Sequence, residues 1–255
     1  MENDRSLTVR IAGKTIRIRP LYKRIARMCR DYTVPDCDPV DFSVCVTESD
    51  IADESRRQAA SGKAKTATPF DPAYLETLCV YRKIADRMPD YGIVLCHAAA
   101  IARHGKAILF LAPSGVGKTT HIMNWKKAFP SEVTVINGDK PLIDLTSLSV
   151  CGTPWSGKEA MNENTSAPLG ALCLLERGTE NRITPIGFRE ALPGIIRQIY
   201  QPDDPAGLQI VLLMLERLKD VPCYRLACNR DVSSAVVAAQ GIFGDPAKEN
   251  DEEKS

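Results

Sequence analysis

The sequence predicts an α/β fold: a mixed, strongly twisted sheet gathered around one glycine-rich loop, with a small β-rich extension in front of it. Three observations predict it. A short apolar run, Ile108-Leu109-Phe110-Leu111-Ala112, is long enough for a buried strand and passes straight into Pro113-Ser114-Gly115-Val116-Gly117-Lys118-Thr119-Thr120. Further apolar runs of strand length, at 93–101, 133–136, 167–175 and 223–228, are interleaved with segments of helical periodicity. Residues 7–19 alternate apolar and charged about a Gly13-Lys14 turn, the pattern of a β-hairpin with one buried face.

Composition sets the bounds. A chain of 255 residues, 44% hydrophobic, holds one large domain or a domain with a small appendage. The divisions expected are an extension over 1–90, a core over 91–244 and a disordered tail over 245–255. Lys and Arg total 33 against 32 Asp and Glu. This near-neutral balance gives no argument for a nucleic-acid or membrane partner, and it leaves a homo-oligomer open. The nine cysteines form no C-x-x-C pair. An odd number, several in predicted strands, reads as reduced, buried thiols and a cytoplasmic protein. The N-terminus lacks an apolar signal core, and no apolar run approaches the ~20 residues of a membrane span.

In chain order, the charged members of the hairpin (Arg10, Lys14, Arg17, Arg19) form a solvated face. Residues 22–29 read as a short helix or turn, 40–46 as a strand, 49–58 as a charged helix and 59–68 as a small, polar surface loop. Asp71 followed by Pro72 marks a helix start. Tyr74, Leu75, Leu78, Cys79, Ile84 and Met88 then recur at helical spacing until Pro89-Asp90-Tyr91-Gly92 ends the helix. Residues 93–101 read as one apolar strand carrying His97, and 103–106 as a hairpin turn into the strand of the loop. A helix over 119–127 turns Ile122 and Trp125 inward. The strand 133–136 ends in Asn137-Gly138-Asp139-Lys140-Pro141. A hairpin follows at 142–145 and 148–150, then a strand over 167–175 and a turn over 177–181. A helix over 188–199 is interrupted at Pro193-Gly194, and 208–218 is a strongly apolar helix. A strand over 223–228 precedes a last helix over 232–242, capped by Asp231.

The loop has the chemistry of a phosphate cradle. Its glycines let successive N–H groups point at phosphate oxygens. Lys118 supplies a cation for the β- and γ-phosphates, the Thr119 hydroxyl suits Mg²⁺, and the following helix directs its positive end at the same anion. Ser114, Gly115, Val116, Gly117, Lys118, Thr119 and Thr120 are therefore the candidate nucleotide-binding residues. The usual G-x-x-x-x-G-K-[ST] pattern has a glycine where this chain has Ala112. Asp139 ends the strand after the loop's helix, where α/β nucleotide sites collect functional groups. It can hold Mg²⁺, accept a proton from an attacking hydroxyl, or serve only as a turn residue. His97 is a core histidine if its apolar run is read alone, and lies beside the phosphates if the neighbouring strand is considered. Residues 152–159, Gly-Thr-Pro-Trp-Ser-Gly-Lys-Glu, form either a surface turn or a second polar loop. In that second loop Lys158 neutralises a transferred phosphate, Glu159 ligates metal and Trp155 lines the pocket.

The histidine before the loop (His97), Ser114-Gly115-x-Gly117-Lys118-Thr119 and Asp139 after the next strand together resemble the HPr kinase branch of P-loop proteins. That branch shares its nucleotide core with ATP-dependent phosphoenolpyruvate carboxykinase. The resemblance covers 91–181 well and the C-terminal part loosely. It implies an HPr kinase-like fold, ATP and Mg²⁺ as cofactors, Thr119 as a metal ligand, and a site lined by His97 and Asp139 with Asp139 as general base. Two departures stand out. Gly138-Asp139 replaces the paired aspartates of HPr kinases, and their Arg-Gly signature has no counterpart around 152–159. These departures and the Asn-Gly-Asp-Lys-Pro segment point to a subgroup distinct from the enzymes that act on HPr. The expected activity is an ATP- and Mg²⁺-dependent kinase acting on a hydroxyl of a peptide serine or a small alcohol. A nucleotide-binding regulator and a carboxykinase-like enzyme are the alternatives.

Overall fold

A computed structural model of the protein describes residues 6–36, 39–60 and 70–245. The chain forms two compact units that divide between Tyr91 and Gly92. The architecture is mixed α/β, with open mixed sheets. Among the described residues no helix is long and apolar enough to cross a membrane.

The first unit follows the alternation of its sequence. β1 (Leu7–Ile11) and β2 (Lys14–Arg19) pair antiparallel, and Val9, Ile11, Ile16 and Ile18 are buried. β3 (Phe42–Cys45) runs parallel to β2. The helices are α1 (Lys23–Met28), α2 (Glu48–Ala60) and α3 (Pro72–Arg87). Asp71 caps α3 by accepting from the Ala73 N–H at 3.0 Å. The loop expected over 59–68 starts too early, since α2 continues through Ala60; its remainder lies outside the described residues. On the hairpin's charged face, Lys14 and Arg17 pair with Asp41 and Asp36.

The second unit is built on one nine-stranded sheet. Its strands are β4 (Ile93–Leu95), β5 (Ala98–Arg103), β6 (Lys106–Leu111), β7 (Thr134–Asn137), β8 (Leu142–Asp144), β9 (Ser149–Cys151), β10 (Ser166–Arg177), β11 (Arg182–Ile186) and β12 (Cys223–Cys228). β10 joins two parts. Its first residues pair antiparallel with β9, and its later residues lie between β6 and β12, parallel to both. On the other side of β6 comes β5, antiparallel to it, and then β7, antiparallel to β5. β11 lies on the outer side of β12.

Alternate residues of these strands feed two cores. On one face Ile108, Phe110, Ala171 and Cys173 pack with Ile122, Trp125 and Phe129 of α4 (Lys118–Ala128) and its end. Ala235, Ala238 and Ala239 of α7 (Ser233–Phe243) complete that core. On the other face Leu109, Leu111 and Leu172 pack with Ala191 and Ile195 of α5 (Phe188–Ile196). Val211 of α6 (Pro205–Met214), with Leu215 and Leu218 of the 3₁₀ turn after it, joins them. The eight described cysteines are all free thiols, and most are buried.

Several expectations are corrected. Residues 93–101 are not one strand: the chain leaves β4 at Cys96-His97 and enters β5, so His97 sits in the break. α5 is not interrupted at Pro193-Gly194. Gly194 lies against Leu174, where an added Cβ would meet the leucine side chain at 2.9 Å, so the glycine serves close packing on the sheet. The Asp231 side chain does not cap α7; its backbone carbonyl accepts from Ser234 instead. The expected tail at 245–255 lies outside the described residues except for Asp245, whose carboxylate meets the buried Arg103 guanidinium at 2.5 Å.

α4 is locked from inside by a buried pair. His121 Nε2 accepts from Trp125 Nε1–H at 2.9 Å, and burial pushes the His121 pKa down to about 3. In the unfolded chain His121 regains its ordinary pKa near 6.5. Unfolding therefore takes up a proton at any pH between the two values. Stability is therefore untouched by this group above about pH 6.5 and falls as pH drops toward 3, by roughly 5 kcal/mol across the window. His121→Gln keeps an acceptor for Trp125 but does not titrate. Denaturant unfolding at pH 7 and pH 4 should show wild type losing the more stability of the two; equal losses would contradict this account.

Candidate functional site

β5 runs opposite to β6 and β7, so its start lies at the same end of the sheet as their finishes. Three chain segments therefore meet there: the loop after β6, the Asn137–Lys140 turn after β7, and His97 before β5. Backbone bonds fix the meeting. Cys96 N–H donates to the Pro141 carbonyl (3.0 Å) and Ala98 N–H to the Asp139 carbonyl (3.1 Å). On the other side His97 N–H donates to the Gln198 carbonyl (2.7 Å).

The loop turns through two glycines with left-handed backbone, Gly115 (φ 83°) and Gly117 (φ 128°), the second directly before α4. Glycine is the residue that reaches this region without steric cost. The first-turn amides of α4 have no preceding helical carbonyl to meet, which leaves donors at the head of the helix. Arg177, ending β10, donates to the Gly115 carbonyl at 2.6 Å and braces the turn. Ala112, where the usual pattern has glycine, is not among the residues with positive φ, and its side chain packs in the α4 core. That position has no need of glycine here.

Lys118, the first residue of α4, is buried and donates from Nζ to the Ala112 carbonyl at 2.6 Å. The same Nζ lies 3.2 Å from His97 Nε2. His97 Nε2 lies 3.3 Å from Asp139 Oδ1, and Lys140 Nζ meets Asp139 Oδ2 at 2.7 Å. Burial lowers the Lys118 pKa; the Asp139 charge opposes that and the Lys140 charge adds to it. Burial alone would raise the Asp139 pKa. The His97 hydrogen bond and the Lys140 ammonium outweigh it and hold this carboxyl well below the usual carboxylate range. Two ammonium groups, one carboxylate and one imidazole thus share one corner, with an excess of positive charge that suits an anion.

Asn137 is the hub of this corner. It is fully buried, and its Oδ1 accepts from the Asp139 and Lys140 N–H groups at 2.8 and 2.7 Å. Its Nδ2 donates to the Thr153 carbonyl and hydroxyl at 2.9 and 3.0 Å. The Thr153 hydroxyl donates in turn to the Lys140 carbonyl at 2.7 Å. Residues 152–156 are consequently buried against the Asp139 turn and are not a surface turn. Gly152 is obligatory, since an added Cβ would lie 1.9 Å from the Glu163 carbonyl oxygen. Gly157 abuts Asp139, where an added Cβ would meet the aspartate Cβ at 3.3 Å.

The structure thus brings His97, Lys118 and Asp139 together, beside a loop that carries Ser114, Gly115, Val116, Gly117, Thr119 and Thr120. It gives Lys158 and Glu159 no contact with them: both lie on the exposed turn after Gly157. Trp155 is buried rather than forming an open wall. Lys140, Asn137, Thr153 and Gln198 are not among the expected site residues, and Arg177, expected in a solvated turn, instead braces the loop. Lys140 was readable in principle as a cation next to a candidate carboxylate, whereas the others act through contacts across the fold. On the far side of the loop a cavity of about 300 Å³ is lined by Val116, Thr120, Arg177, Gly178, Asn229 and Arg230, among others. Among the described residues no group of three His, Cys, Asp or Glu side chains forms a ready-made metal site. No protein-family model matches the chain, and no curated protein matches it.

Removing the hub should be costly. Asn137→Ala deprives two turn amides of their acceptor and Thr153 of its donor, so a loss of about 3 kcal/mol or more is expected in denaturant unfolding. A loss under about 1 kcal/mol, no more than a single exchanged hydrogen bond, would contradict the hub.

Proposed function

We propose that the chain is an ATP- and Mg²⁺-dependent kinase that transfers the γ-phosphoryl group to a hydroxyl of a peptide serine or a small alcohol, through an HPr kinase-like P-loop. The observation that carries this reading is the convergence of Lys118 at the head of α4, His97 and Asp139 at one corner, beside a loop with left-handed Gly115 and Gly117. In this reading the loop amides and Lys118 take the phosphates. The cavity beside Val116 and Thr120 takes the nucleoside on the side of α4 away from Asp139. The acceptor then approaches from the Asp139 side.

The acceptor oxygen forms a bond to the γ-phosphorus as the bond to the β,γ-bridging oxygen breaks, and ADP leaves. The hydroxyl proton passes to the Asp139 carboxylate. A carboxyl held so far below its usual range is a weak base. That is sufficient where the transition state is loose and the proton leaves late, so that orientation of the hydroxyl matters more than basicity. Lys140 holds that carboxylate ionised and adds charge near the transferred group. Thr119 and Asp139 are the residues that suit Mg²⁺, which takes one or two protein ligands and completes its shell with phosphates and water. When bound, the ion would screen the phosphate charges.

Two variants test the reading. Lys118→Ala should weaken both ATP and inorganic tripolyphosphate, measured by calorimetry, with little change in melting temperature; unchanged affinity for both would end the phosphate-loop assignment. Asp139→Asn should leave nucleotide bound while turnover with a serine-peptide or alcohol acceptor falls by ~10²–10⁴. ATP binding with no acceptor-dependent turnover in wild type would favour a nucleotide-binding regulator instead.

A further inference from the structure

Gln198 follows α5 and is buried. Its own N–H returns to the Ile195 carbonyl at 2.9 Å, and the chain beyond it runs along the break between β4 and β5. Ile199 bridges Cys96, and Tyr200 N–H donates to the Leu95 carbonyl at 2.8 Å. The Gln198 backbone thus grips His97 from one side, while the 139–141 segment grips its neighbours from the other.

The side chain is equally constrained. One end of the Gln198 amide lies 3.0 Å from the Ala112 carbonyl oxygen, 3.3 Å from the His97 carbonyl oxygen and 3.0 Å from His97 Nδ1. Carbonyl oxygens only accept, so this end must be the NH₂ group; the amide orientation is assigned from this network. The imidazole Nδ1 facing the same NH₂ must then accept as well. A neutral imidazole whose Nδ1 accepts carries its proton on Nε2.

We infer that Gln198 is a positioning residue that fixes His97 as its Nε2–H tautomer, so that His97 acts as a hydrogen-bond donor beside Lys118 and not as a base. Nε2 lies 3.3 Å from Asp139 Oδ1, which accepts its proton in this tautomer, and the Lys118 ammonium 3.2 Å away donates to the Ala112 carbonyl. Two donors this close, pointing into one corner, are jointly satisfied by a single anionic oxygen. The oxygen they fit is one of the transferred phosphoryl group, a role that rests on the kinase reading above. The tautomer itself rests only on Gln198. The Ala112 carbonyl links the two, because it accepts from both Gln198 and Lys118.

The experiment is long-range ¹H–¹⁵N correlation NMR of the imidazoles at pH 8. The chain has three histidines, and His97→Asn identifies the resonances of His97. Wild type should show His97 with Nδ1 unprotonated and Nε2 protonated, a result that needs no variant to fold. Gln198→Glu places a carboxylate that only accepts opposite Nδ1, and should move the proton there. In the same variant kcat should fall ~10–100-fold, the usual range for loss of a group that orients a functional side chain, while ATP affinity changes less. Inorganic tripolyphosphate should shift the Nε2–H resonance of wild type. A proton on Nδ1 in wild type, or an unchanged tautomer in Gln198→Glu, overturns the inference. If the tautomer is as stated but neither ATP nor tripolyphosphate moves the His97 resonances, the lock stands and the kinase reading, with the phosphoryl contact, falls.

Discussion

The candidate site depends on the placement of β5, which runs antiparallel between β6 and β7. Without that inserted strand the glycine loop and the Asp139 turn would still end on the same side of the sheet, but no chain start would lie between them. With it, His97 is delivered between Lys118 and Asp139 by backbone pairing alone, before any side chain contributes. The all-alanine start of β5, Ala98 to Ala100, fits this position, since small side chains on both faces let the sheet remain tightly covered where three segments crowd together.

Charge then fixes what pairing has assembled. A buried lysine and a partly buried aspartate are each costly when isolated, and here each is answered within hydrogen-bond range. The answer is incomplete by design of the residue set: Lys118 and Lys140 outnumber Asp139, and the imidazole contributes a donor rather than a charge in the tautomer that Gln198 dictates. The surplus lies beside the left-handed glycines and the head of α4. Three independent features, namely side-chain charge, helix polarity and loop geometry, therefore favour the same kind of ligand.

Local chemistry made the loop, its strand and α4 legible in the sequence. The Gly-x-Gly spacing after an apolar strand permits the tight turn that the loop adopts, and Ile122 with Trp125 declares the inward face of the helix. The break at Cys96-His97 was not legible, because an apolar run carries no mark of where its pairing partner changes. The bonds that fix the break come from Asp139 and Pro141 on one side and from Gln198 and Tyr200, far along the chain, on the other. β11 was missed because Arg182 to Ile186 includes Pro185 and little apolar alternation, which is tolerated because it pairs only with β12 at the sheet's edge. Residues 152–159 misled in a different way. Their composition matches a ligand loop, but the structure uses most of them to wall in the Asp139 turn, and only Gly157 touches it from the exposed end.

The threefold sharing of β10 bears on how the protein folds. Leu172 sits opposite Leu109 on one side and Cys223 on the other, so the middle of the sheet consists of parallel pairings between distant parts of the chain. Parallel pairings of this kind cannot zip up from a hairpin, and closing such long loops precedes the reward of contact. The β5–β6 hairpin can form early, yet Arg177 can brace Gly115 only after β10 has docked. The final shape of the glycine loop is therefore tied to a long-range pairing and not to the hairpin that precedes it.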